Sequence, residues 1–184
     1  MKAWLAGVVL LMACSACTQG TPSSLSAGAA SGNPLTPTEI RVPINISTHM
    51  VGEFETPPHD TEAHGTAIFI LSPDGQSMTY RLVANNITNV FASHIHHGVP
   101  GVRGPIVVPL YSGPVAGGLH NGLLASGMIT ADNLTGELRG HPLSDLVALI
   151  QNGQAYVNLH TNDGVDPPDT GPGDFPLGEV RGQL

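Results

Sequence analysis

SHIHHGVPGVRGPIVVPL, residues 93–110, reads as strand, turn, strand. His94 and His96 are two apart, so on a strand they share one face while Ile95 turns to the other. Gly98, Pro100, Gly101 and Gly104-Pro105 break the extended run, and Ile106–Leu110 returns as an apolar strand. A β-domain whose polar face carries an H-x-H pair follows from this stretch.

Outward from it, period-two patterns dominate. Glu39–Ser47 alternates Ile40, Val42, Ile44 and Ile46 against Arg41, Asn45 and Ser47, with Pro43 marking an edge or a bulge. Gly65–Leu71 and Met78–Val83 flank the turn Ser72-Pro73-Asp74-Gly75 and form a hairpin. The strand ending in the histidines spans Ile87–His97, and Met128–Thr130 starts a further short one. Pro142–Asn152 is the single helix, with Leu143, Leu146, Val147 and Ile150 as one apolar stripe, Pro142 in its first turn and Gly153 just past its end. Ala155–Thr161 is a strand with Val157 and Leu159 on one face and Tyr156, Asn158 and His160 on the other. G-E-[L/V]-R-G occurs twice, at 136–140 and 178–182. It is read as two strand segments whose apolar residue points inward and whose Glu and Arg form cross-strand ladders.

Composition narrows the function classes. The chain has 184 residues with only 11% charged, 23 glycines and 16 prolines, which suits a turn-rich β-domain. Its net charge is −8, and five arginines are the only cations apart from Lys2, so no basic patch for nucleic acid can be assembled. Both cysteines fall at 14 and 17, so residues 39–184 contain no disulfide. There is no Gly-rich phosphate loop, nucleophile elbow or Cys nucleophile in that body, and no catalytic residue is assigned.

Residues 1–17, MKAWLAGVVLLMACSAC, have a basic start, a short apolar run and small residues before each cysteine. They resemble a bacterial lipoprotein signal, in which the cysteine after the cleavage site is lipidated. Leu11-Met12-Ala13-Cys14 fits the box best, while Cys17 gives the more usual leader length. Residues 18–38, rich in Ser, Thr, Gly, Ala and Pro, read as a flexible tether. The expectation is a lipid-anchored domain in the bacterial cell envelope, periplasmic or surface-exposed, with the membrane as partner through that lipid and any protein partner unknown.

The order Gly52…Glu55-Thr56-Pro57-Pro58, Gly65-Thr66-Ala67, His94-Ile95-His96-His97-Gly98 with Gly104-Pro105-Ile106-Val107-Val108, Tyr156-Val157-Asn158-Leu159-His160-Thr161 and Gly178-Glu179-Val180-Arg181-Gly182-Gln183 resembles the CHRD domain. The likeness covers roughly residues 40–184. It implies a mostly β fold, an antiparallel immunoglobulin-like β-sandwich or barrel with one short helix, acting as an extracytoplasmic binding or structural module without an established catalytic activity. One departure is the long loop from Asn162 to Leu177, which adds Asp163, Asp166, Asp169 and Asp174. Their spacing is not the helix–loop–helix calcium pattern, and a solvated acidic loop is expected.

If the strands ending at His97 and Thr161 are neighbours, His94, His96 and His160 converge, and imidazoles suit Cu or Zn. The bland alternative is histidines hydrogen-bonded to the following turn. His97 faces the other way, and His49, His59, His64, His120 and His141 sit in loops or at element ends. H-x-H on a strand also begins the copper site of copper–zinc superoxide dismutases, so a metalloenzyme of that layout is the alternative function. The missing disulfide cysteines and second histidine set speak against it.

Overall fold

The computed structural model describes residues 44–184. The leader, both cysteines, the tether, Pro43 and the first part of the Glu39–Ser47 strand lie outside the described residues. Eight strands follow: β1 (Asn45–Val51), β2 (His64–Leu71), β3 (Met78–Thr88), β4 (Val90–His97), β5 (Ile106–Ser112), β6 (Leu119–Ile129), β7 (Ala155–Thr161) and β8 (Val180–Gln183), with helix α1 (Leu143–Gln151) between β6 and β7. They make one sheet, in the order β5-β4-β7-β8-β1-β2-β3-β6, with every pairing antiparallel. The edge strands curl toward each other until β5 meets β6, and the Tyr80 hydroxyl donates to the Leu110 carbonyl at 2.6 Å. The fold is thus a nearly closed barrel. Its open seam is β5–β6, where no strand pairing forms among the described residues, and the sparsest paired ladder is β8–β1, in register at Val51 and Arg181.

Alternation fills the interior. Phe69, Met78, Leu82, Ile95, Val107, Val157, Leu159 and Val180 point into one core, joined by Leu143, Leu146, Val147 and Ile150 of α1. Each such side chain contributes about 1.5–3 kcal/mol by leaving water. The helix matches its sequence signals: Pro142 is the N-cap residue, and Gly153 takes the left-handed conformation at φ 65° just beyond the last turn.

Four expectations need correction. Ile87 and Thr88 belong to β3, not to the histidine strand, because Asn89 at φ 59° breaks the chain between them. The short strand from Met128 is the end of the eleven-residue β6. Only Ile129 of β6 is fully buried, so the strand carries little apolar signal. The strand around Ser47 runs on to Val51, pairing with β2 at all seven positions, so His49 is within a strand and not in a loop. Gly136–Leu138 is a 3₁₀ turn entered at φ 56°, so the two G-E-x-R-G copies are not equivalent. Leu138 and Val180 do point inward, but no Glu–Arg ladder forms among the described residues.

Candidate metal centre

β4 and β7 are neighbours, with His94 opposite Asn158 and His96 opposite Tyr156. Ile95, Val157 and Leu159 occupy the core, so His94, His96, Tyr156, Asn158 and His160 share the outer face of the barrel. That face is nonetheless covered. The loop after β4 and the loop before β8 fold over it, leaving His96 and His160 each only 7% exposed. This explains why every residue of β7 is buried.

Hydrogen bonds hold the cover down. Arg181 of β8 donates to the carbonyls of Val99 and Val102, both at 2.9 Å. Its guanidinium lies 3.4 Å from the centroid of the Tyr156 ring, whose other face stacks on His96 at 4.8 Å. The Gly104 amide donates to the Tyr156 hydroxyl at 3.2 Å. Gly104 must be glycine for space, because a Cβ there would overlap the backbone carbonyl of His97. Glu179 sits beneath the second loop, accepting from the Thr61 and Thr161 hydroxyls at 2.6 and 2.7 Å and from the Gly173 amide at 2.9 Å. Glu179 and Arg181 are therefore buried ties between loops and barrel rather than a surface ladder.

The three imidazoles form a compact triangle. Ring centroids are 4.9 Å apart for His94–His160, 5.6 Å for His94–His96 and 5.8 Å for His96–His160. One ring nitrogen from each lies within 4.8 Å of the others, and this is the single such group among the described residues. The outer hydrogen bonds select tautomers. His96 Nδ1–H donates to the Gly104 carbonyl at 2.9 Å, and His160 Nδ1–H donates to the Pro176 carbonyl at 3.0 Å. Each therefore turns a bare Nε2 toward the group. His96 Nε2 is buried with no hydrogen-bond partner. His160 Nε2 lies 3.0 Å from His94 Nδ1, which donates to it.

Burial keeps these groups neutral. Desolvation, helped by His96, lowers the His94 pKa to about 4. Desolvation, helped by His94, lowers that of His160 to about 3. His96 is lowered by desolvation too. Neutral imidazole is the form that ligates metal. Two nitrogens 3.0 Å apart would subtend about 95° at an ion with bonds near 2.05 Å. Tetrahedral bonds near 2.05 Å set ligand nitrogens roughly 3.3 Å apart, so closing the 4.8 Å group around an ion draws the side chains together by about 1.5 Å.

The remaining candidates fall elsewhere. His97 pairs with Glu137 and His141 with Asp145, both exposed. His59 stacks on Phe175 at 3.8 Å. Of the loop aspartates, Asp174 is buried and binds the Thr170 amide and hydroxyl, correcting its reading as solvated, and the four do not gather. Sequence reasoning placed Tyr156 and Asn158 on the right face. It missed Glu55, Gly104 and Arg181 as parts of the centre. Glu55, whose pKa burial pushes up, accepts from Asn158 Nδ2 at 3.3 Å.

The CHRD domain family model matches residues 46–168, a span that contains all three histidines. No curated protein and no solved structure matches the chain significantly.

Proposed function

We propose, since the chain belongs to the CHRD-domain family, that it is an extracytoplasmic binding module which holds one divalent transition metal on His94, His96 and His160. Copper(II) and zinc are the ions this donor set favours. All three donors are imidazoles, no thiolate or carboxylate joins them, and affinity along the divalent series peaks at copper. The observation that carries the reading is His96 Nε2. It is a buried lone pair without a hydrogen-bond partner, its ring fixed by the Gly104 carbonyl and by stacking on Tyr156, in a group whose three imidazoles each bring a nitrogen within 4.8 Å of the others. A lone pair left unpaired in the interior costs about 1–3 kcal/mol, and a bound ion removes that cost. On ion entry the proton on His94 Nδ1 moves to its Nε2, so the ion replaces the hydrogen bond between His94 and His160.

The anchor in this proposal is the lipidated N-terminus at Cys14, with Cys17 as the other site, placing the domain at the bacterial cell envelope. Mass spectrometry of the mature N-terminus distinguishes the two and an unlipidated end. Metal titration of the purified chain, beside His94→Ala and His160→Ala, tests the centre: one Cu²⁺ or Zn²⁺ per chain is expected, lost in both variants. No uptake by the unaltered chain overturns it. Uptake accompanied by superoxide turnover would instead favour the dismutase-like enzyme.

A further inference from the structure

The histidine triangle forms the floor of a cleft of about 390 Å³. Its walls are largely apolar, from Phe91, Pro105, Ile106, Pro176 and Leu177. Ile106 and Leu177 leave 39% and 57% of their surface in water, an apolar rim with nothing packed on it. Among the described residues lining the cleft there is no carboxylate, and Arg103 is the one that carries a charge. Arg103 lines the same cleft as His94, His96 and His160.

Three neutral ligands leave a divalent ion with its whole double charge and a coordination position facing the cleft. Metal and guanidinium then put positive charge at the floor and rim with no protein counter-charge between them. The cleft's volume is of the class that takes small molecules, not folded partners. We infer that the cleft binds a small monocarboxylate with an apolar body, its acid group between the metal and Arg103 and its hydrocarbon against Phe91, Ile106 and Leu177. This rests on the metal reading above, and its test separates the two.

The probe is the full chain loaded with Co²⁺, whose visible bands report each change of ligand, titrated with benzoate, acetate and neutral benzyl alcohol. Benzoate is expected to shift the bands and to bind at least about ten-fold tighter than acetate, with no shift from benzyl alcohol. Arg103→Gln, an exposed site outside the core, is expected to weaken benzoate about ten-fold while Co²⁺ stoichiometry stays at one per chain. A Co²⁺ spectrum indifferent to benzoate, or benzyl alcohol binding as well as benzoate, overturns the carboxylate inference and leaves the metal centre standing. Failure to take up Co²⁺ at all overturns both.

Discussion

His160 shows how much a single residue depends on its cover. An exposed histidine titrates near 6.5, whereas His160 under its loop is neutral down to about pH 3 and His94 to about pH 4. Their folded pKa values lie below the unfolded one, so the unfolded chain binds more protons in acid. The stability these groups confer relative to acid is fully present above pH 6.5 and declines as pH falls toward 4 and 3. Glu55 acts in the opposite sense, since its folded pKa is raised. Thermal melts of the metal-free protein between pH 7 and 4.5 are therefore expected to fall steeply. His160→Gln should flatten that fall; an unchanged slope would contradict the burial argument. His96→Phe keeps the stack on Tyr156 and removes the orphaned nitrogen. Metal uptake should vanish, while the metal-free protein loses no more than about 1–3 kcal/mol, the cost of leaving the Gly104 carbonyl without its His96 donor. His94, His96 and His160 could be read from the sequence because period two fixes which side chains share a face. Glu179 and Arg181 could not, since the same alternation places them outside the barrel and says nothing about a loop lying over that outside.

At the scale of elements, the loop from Gly98 to Pro105 matters most. It carries the carbonyl that orients His96, the amide that meets Tyr156 and the two carbonyls that Arg181 grips. Gly104→Ala forces this loop off the strand and is expected to lower metal affinity about 10–100-fold, in line with loss of a ligand-orienting contact. Arg181→Met removes the grip and should destabilise the fold by about 2–4 kcal/mol, as the Val102 carbonyl loses its Arg181 donor and the Val99 carbonyl keeps only the Val102 N–H. Faster amide exchange at Val102, whose N–H bonds to the Val99 carbonyl, would mark the loosened loop. Denaturant melts and hydrogen exchange check both. α1 and the β2–β3 hairpin were legible because stripe, cap and turn residues agree. β6 was not, since glycine, asparagine and serine interrupt it and β3 supplies its pairing. The first G-E-L-R-G copy misled because residues 136–138 close into a 3₁₀ turn, whereas Val180 and Arg181 of the second copy lie in β8, although both copies begin on a positive-φ glycine.

For the molecule as a whole, the centre lies on strands distant in sequence, so an ion there ties β4 to β7 in the native state alone. At a free metal concentration one hundred times Kd, binding adds about 2.7 kcal/mol, an increase in Tm on the order of 10 °C for a domain of this size. The increase should follow the logarithm of metal concentration and be absent in His160→Ala. The barrel class was foreseeable from composition and alternation. Its near closure was not, because the approach of β5 to β6 depends on sheet curl. The most direct test is a crystal structure of the chain soaked with Zn²⁺, with anomalous scattering measured at the zinc edge. The expected result is one peak within about 2.0–2.2 Å of a ring nitrogen of each of His94, His96 and His160. A peak only at His97–Glu137 or His141–Asp145, or none, would contradict the account.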